Sequence, residues 1–334
     1  MINRLQIKRV IALMLLGVVV STTTAYSQIS DIKAFLEVLN QGEDNMTALT
    51  KAYLEPLPTG LSTSLNSGWT SKAAPTKKLG FSLQVRTALA MVPSSAQTFD
   101  ASALGLSSGI TVTGDASNNI SGGKGNGQTL TLPGGSTIDL PGGSGVSMVP
   151  AAMLQGNVGL IKGTDLTVRY IPETELGKYG DIALFGVGIK HGLNQWLPGG
   201  KLLPVDISVL AAFSKVDLNG VISSADDQTV ETSTNTFVFN ALVGKTLPFV
   251  SAYAGVGIQT GSFELSMLGD YTINVDGAGS QTFSDPVSYS QDSDAAIHAL
   301  AGVQFKLAIF RIYAEVTAAE YMTYNAGIGI GLRN

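Results

Sequence analysis

At 334 residues the chain can form one large domain or two ordinary ones. Only 13 % of it is charged, against about 25 % in a typical soluble domain, so much of its surface is not built for water. A net charge of −5 with scattered Lys and Arg excludes a nucleic-acid partner, and the lack of cysteine excludes a lipoprotein anchor, a disulfide framework and thiol chemistry.

The chain opens with "MINRLQIKRVIALMLLGVVVSTTTAYSQ". Arg4, Lys8 and Arg9 precede a short apolar run over residues 10–20, and Ala25 and Ser27 supply small residues at a cleavage site. This pattern predicts a signal peptide over residues 1–27 and export from the cytoplasm. The apolar run is too short for a membrane anchor, and no longer one follows it, which excludes a helical membrane protein. An exported chain of this kind is either soluble or spans a membrane as a closed barrel, the other architecture that satisfies every backbone polar group in hydrocarbon.

Residues 28–78 form the next unit. Ile32, Phe35, Leu36 and Leu39 make one helical stripe; Met46, Leu49, Tyr53 and Leu54 make a second after Gly42. Ser30 or Asp31 is expected to cap the first helix and Glu43 or Asp44 the second, with Pro56 and Pro58 ending the pair. An irregular crossing segment, "PTGLSTSLNSGWTSKAAPTKK", leads to residue 79. The unit is too short for a stable domain of its own. It is expected to fold into or beneath the lumen of a barrel as a plug, the alternative being a periplasmic helical tail.

From Leu79 to the end, alternation with period two replaces helical spacing. In "LGFSLQVRTALAM", Leu79, Phe81, Leu83 and Val85 oppose Gly80, Ser82, Gln84 and Arg86. In 309–318, Phe310, Ile312, Ala314 and Val316 oppose Arg311, Tyr313, Glu315 and Thr317. Segments of roughly ten residues, apolar on one face and polar or small on the other, mark a transmembrane barrel. The predicted strands are 79–93, 148–160, 163–172, 180–190, 203–217, 234–247, 249–265, 294–307, 309–319 and 322–333. The fold class is therefore all-β: an antiparallel transmembrane β-barrel of about ten strands with an N-terminal helical plug segment. If "TFDASALGLSSGITVTG" and "GQTLTLPGGSTIDLP" pair within the wall, the count becomes twelve.

Short connections at 161–162, 248 and 308 fall on one side, expected to be periplasmic. The longer ones, 94–147, 218–233 and 266–293, fall on the other, and an even strand count lets both chain ends emerge in the periplasm. The exception is "HGLNQWLPGGKL", residues 191–202, which suits a short interfacial helix with Trp196 at headgroup depth. The last strand, "YNAGIGIGLRN", is apolar on one side and carries Gly327, Gly329 and Gly331 on the other. Glycine weakens a strand interior, so these positions imply that something else occupies the space beside them, and the N-terminal helical segment is the expected occupant.

Arg86, Asp165, Arg169, Lys190, Arg311 and Glu315, with Lys306, fall on predicted lumen faces. Structural pairing of these charges is one reading; a polar relay lining a substrate path is the other. His191 and His298 have no ligand at metal spacing, no Ser-His-Asp constellation is visible, and the glycine-rich stretch at 121–145 lacks the phosphate-loop order. The last reads as a mobile surface loop. No catalytic residue, metal or cofactor is expected, and no enzyme activity.

"AYLEPLPTGLSTSLNSGWTSKAAPTKKLGF", "GTDLTVRYIPETELGKYGDIALFGVGIKHGLNQWLP" and the glycine-alternating end resemble a family of uncharacterised outer-membrane proteins of Gram-negative bacteria. That family is distantly similar to outer-membrane transporters of fatty acids and hydrocarbons, whose barrels carry an N-terminal hatch. The resemblance implies a location in the cell outer membrane, contact with its lipid, and a small hydrophobic ligand that is passed or bound. The alternative is a structural or assembly component that binds a partner protein.

Overall fold

The computed structural model describes residues 35–36, 38–39, 41–177, 180–223, 227–275 and 279–333. The expected signal peptide and the Ser30 or Asp31 cap lie outside the described residues. Ten strands form one closed barrel: β1 (Phe81–Met91), β2 (Met148–Gly159), β3 (Thr164–Glu175), β4 (Gly180–Gly192), β5 (Asp206–Ser223), β6 (Gln228–Thr246), β7 (Val250–Leu268), β8 (Val287–Leu307), β9 (Phe310–Ala318) and β10 (Met322–Leu332). Each pairs antiparallel with its sequence neighbours, and β1 closes the ring on β10, from Phe81 opposite Leu332 to Met91 opposite Met322.

Alternation along each strand decides which side faces out. In β9 the apolar Phe310, Ile312 and Val316 are exposed, while Arg311, Tyr313, Glu315 and Thr317 are buried. Phe81, Leu83, Tyr170, Phe185, Phe237 and Ile297 continue the exposed apolar belt around the wall. A water-soluble sandwich or barrel buries its apolar face; this one displays it and hides charge inside, as a barrel standing in hydrocarbon must. No described helix is long and apolar enough to cross a membrane.

The two ends differ as expected, with one correction. Short turns join β2 to β3, β6 to β7 and β8 to β9. At the other end, the expected loops at 218–233 and 266–293 are largely strand. β5 and β6 run 18 and 19 residues and pair as far as Ser223 opposite Gln228, and Asp270–Val275 pairs with Gly279–Ser284 between β7 and β8. Thr229, Thr232 and Thr234 suit extended backbone, so the ladder continues past the apolar belt. Thr111–Thr113, Thr129–Thr131 and Thr137–Asp139 do pair, but in a small separate sheet that caps this end; the barrel keeps ten strands rather than twelve.

The N-terminal unit also departs from expectation. Helix α1 (Glu43–Leu54) follows Gly42, with no side-chain cap from Glu43 or Asp44. Pro56 and Pro58 do not end the helical run; they sit in the first turn of a second helix, α2 (Pro56–Asn66), reached through Glu55 in helical geometry. A proline at the first helical position sacrifices an amide that has no intrahelical acceptor in any case. Much of the expected irregular segment is therefore helical, and only residues 67–78 are not.

Phe35, Leu39, Met46, Leu49 and Tyr53 pack against Ile120, Leu130 and Leu140 of the 92–147 connection and against Phe263, Leu265 and Val287 of the wall. The first described residues thus lie at the long-loop end, where the apolar partners are, and not at the short-turn end where both chain ends were expected. The 92–147 connection is a folded cap: Tyr53 donates from its hydroxyl to the Gly142 carbonyl, and Asn45 bonds Ser107. From this cap α2 and residues 67–78 descend through the barrel to β1, an arrangement consistent with a plug.

Candidate functional site

Inside the barrel the lumenal segment is gripped by the wall. Ser64 Oγ donates to the Val149 carbonyl at 3.1 Å, and Asn66 Nδ2 to the Thr260 carbonyl at 3.2 Å. The carbonyls of the last turn of a helix have no intrahelical donor, and here Arg169 supplies one. Its Nη1 donates to Leu65 O at 2.6 Å, Nη2 to Ser67 O at 2.7 Å, and Nε to Gln155 Oε1 at 2.8 Å. The guanidinium lies over the Trp69 ring, 3.8 Å from its centre. A cation at a helix C-terminus also meets the negative end of the helix dipole.

The other side of the segment is held by three groups. Glu315 accepts from the Gly68 amide at 2.7 Å and from the Tyr253 hydroxyl at 2.7 Å. Tyr253 also lies 3.1 Å from Thr70 O, and Arg86 Nη2 donates to the same carbonyl at 3.0 Å. Arg86 Nε reaches Gln84, and its guanidinium sits 4.5 Å from the centre of the Tyr313 ring. Lower down, Lys190 bonds Asp165 at 3.1 Å and donates to the carbonyls of Lys72 and Ala74, while Asp165 accepts from the Thr76 amide at 2.7 Å.

All six candidate residues lie buried on the inner face. Five of them, Arg86, Asp165, Arg169, Lys190 and Glu315, converge on residues 65–76; Arg311 does not, and bonds only rim carbonyls of Ala308, Phe310 and Gly331. Pairing among charges is the lesser part of the arrangement. Lys190 with Asp165 is the one buried ion pair among the described residues, and most partners are main-chain groups of the lumenal segment. Tyr253, Trp69 and Gln155 take part without having been singled out from sequence; parity alone puts Tyr253 and Gln155 on the inner face.

The glycines of β10 receive an answer here. A Cβ on Gly327 would strike the Val85 carbonyl and Arg86 Cγ, and one on Gly329 would meet Gln84. The bare face makes room for the side chains of the neighbouring strand, which lean across it towards Tyr313, and not directly for the N-terminal helical segment that was the expected occupant. Gly68, at φ +70, needs its freedom for a second reason: a Cβ there would lie 2.5 Å from Asn325 Nδ2.

One seam of the wall is incomplete. β2 and β3 pair over five residues only, from Gln155 opposite Arg169 to Gly159 opposite Asp165. Beyond them Met148–Leu154 pairs with β1 alone, and Tyr170–Glu175 with β4 alone. Each free edge contains a proline, Pro150 and Pro172, which has no amide to give a ladder, and β3 shifts register between Ile171 and Thr174. Behind the seam the inner wall turns apolar: Met153, Ile171, Leu184 and Val216 cluster with Leu65 of the lumenal segment.

At the capped end, burial raises the Glu55 carboxyl above its ordinary value, and the nearby Glu320 raises it further. Burial also pushes the Tyr321 phenol up, with Glu55 and Glu320 adding to it. At the opposite end, Trp196 is exposed and donates from Nε1 to His191 Nε2 at 2.8 Å, which leaves Nδ1 as the donor to Thr164. The expected interfacial helix there is a single 3₁₀ turn, Gly200–Leu202. His298 is buried against Asn240, and no group of three metal-ligating side chains occurs among the described residues.

A closed ring of ten antiparallel strands, apolar outside and charged within, with a helical segment along its axis, defines a transmembrane β-barrel. The chain belongs to the family of unknown function DUF6588, whose model matches residues 7–332. No curated protein matches it. Among solved structures, it is similar to Ail, the attachment invasion locus protein of Yersinia pestis, at 11 % identity over 76 % of this chain and 99 % of that one, with a TM-score of 0.28. The translocator domain of autotransporter NalP from Neisseria meningitidis gives 9 % over 87 % and 98 %, TM-score 0.30. A TodX monoaromatic hydrocarbon channel mutant gives 12 % over 80 % and 71 %, TM-score 0.24.

Proposed function

We propose that this protein resides in the outer membrane and binds a small hydrophobic molecule, passing it between the bilayer and the barrel interior. The observation that carries the reading is the seam between β2 and β3 with the apolar cluster directly behind it. A barrel wall is sealed by its ladder; where seven residues of one strand and six of the next do not pair with each other, the wall can be crossed sideways without breaking ladder hydrogen bonds. A polar solute gains nothing from Met153, Ile171, Leu184 and Val216, whereas an apolar one gains roughly 25 cal/mol for each Å² it removes from water. The lumenal segment, held by Arg86, Arg169 and Glu315, closes the axial route and presents Leu65 to the bound molecule.

The test uses purified protein in lipid nanodiscs with N-phenyl-1-naphthylamine as the apolar probe. Wild-type protein is expected to bind it saturably, and Ile171→Arg to bind at least about tenfold more weakly, the loss of some 1.4 kcal/mol. Ala152→Cys with Pro172→Cys, joined by a short bifunctional crosslinker, should stop exchange of the probe with the bilayer. Probe binding no greater than that of empty nanodiscs would sink the proposal. The second reading, a structural component that holds a partner protein, draws on the long outer hairpins and the folded cap; a stoichiometric partner crosslinked to these in native membranes would favour it.

A further inference from the structure

We infer that the short-turn half of the lumen is a binding site for an oxyanion, a carboxylate or phosphate group, formed by Lys72, Lys306 and Arg311. Lys72 lies on the lumenal segment and is only 4 % exposed, yet its amino group makes no hydrogen bond and no ion pair among the described residues. Lys190, Lys306 and Arg311 stand close enough to repel it. Asp165 is already engaged by Lys190 and by the Thr76 amide and hydroxyl. Four cations therefore stand together with Asp165, already engaged, and Asp206 beside Lys190 as the acids near them.

The orphaned groups continue along the adjoining wall. Lys306 stands opposite Arg311 across β8 and β9, and Gln304 opposite Tyr313 one inward position further. The Lys306 amino group has no partner among the described residues, and Arg311 Nε has none although both its Nη atoms are bonded. Gln304 is fully buried with the Tyr313 hydroxyl beside it, and that hydroxyl is within reach of Gln304 and Ser82. Native structures leave few buried polar groups without a partner, and a buried charge without a counter-charge works against the fold. One oxyanion supplies the missing charge and accepts from two ammonium groups and a guanidinium Nε–H.

This site lies in the opposite half of the lumen from the apolar cluster behind the seam, and it does not depend on the hydrophobic-molecule reading. The chemistry fits either a free anion or the head of an acidic amphiphile, and the two are separable. Full-length protein carrying Trp196→Phe, in non-ionic detergent, leaves Trp69 as the sole tryptophan, adjacent along the chain to the proposed site. Titration with inorganic phosphate is expected to change its fluorescence saturably. Lys72→Met should weaken binding at least about tenfold and Lys306→Gln about threefold or more, on the scale of one charge-assisted hydrogen bond; Lys72→Arg should retain it. Dodecanoate that competes with phosphate where dodecanol does not identifies the head of an amphiphile, while phosphate binding without such competition identifies a free anion.

Wild-type protein with no saturable response to phosphate or dodecanoate would overturn the inference. So would Lys306→Gln protein, which keeps the lumenal segment intact, binding phosphate as wild type does. A barrel that binds dodecanol and N-phenyl-1-naphthylamine but neither anion would lose this site and keep the proposed function; the converse result would do the reverse.

Discussion

Arg169 shows how much a single buried side chain holds. It is fully buried, forks onto the last carbonyls of α2, and stacks on Trp69. Arg169→Ala removes the charge together with the donors and strands Leu65 O, Ser67 O and Gln155 in the lumen. The expected loss is about 2–4 kcal/mol, read as a lower heat-denaturation midpoint in detergent. Arg169→Lys should recover only part of it, because an ammonium lacks the planar fork. Alternation around "LTVRYIP" puts Arg169 inside, but nothing in that stretch names residues a hundred positions earlier as its partners.

Glu55 makes a prediction of opposite sign. Burial and Glu320 raise its folded value, so ionisation works against the fold. Stability should therefore rise as the pH falls from neutral through that raised value, and level off below the value of the unfolded chain. Heat denaturation of wild-type and Glu55→Gln protein between about pH 4 and 7.5 isolates the effect. The difference between them should favour the variant at neutral pH and shrink towards acid. A constant difference across the range would refute the assignment.

At the scale of elements, β10 is the instructive case. Its apolar face is fixed by alternation, and its glycine face by the side chains of β1 that cross it. Gly327→Ala must push aside the Val85 carbonyl or the Arg86 stem, at an expected cost of about 1–3 kcal/mol. Gly156→Ala on β2 meets nothing within 4 Å and should be close to neutral in the same denaturation assay. The helices were harder to place from sequence. Pro56 and Pro58 look like a stop when the residues before them are considered alone. They act as a start because "LSTSLN" after them packs inside the barrel, Leu65 on apolar wall residues, and Arg169 satisfies its last carbonyls. Likewise the stretch 229–233, expected as loop, forms strand because a partner strand lies alongside on each side.

At the scale of the molecule, the barrel combines three regions with different physics. The cap end is an apolar core joining α1 to the 92–147 connection and the wall. The middle is a polar grip on α2 and the residues after it, beside a seam backed by apolar side chains. The short-turn end is an excess of buried cations. The two proposed ligands, one apolar and one anionic, belong to different parts of one lumen, and the crosslinked seam and the Lys72 variants test the two proposals separately.

By itself the sequence determined the ten strands, their faces and the sidedness of the turns. Those follow from side-chain alternation and turn length, which are properties of residues adjacent along the chain. Only the tertiary structure decided that the first described residues sit under the cap, that Arg86 and Arg169 grip main-chain carbonyls rather than acids, and that one seam stays unpaired. Each of these depends on what a strand or side chain meets from a distant part of the chain, and a hydrogen bond over such a separation leaves no local period to be read.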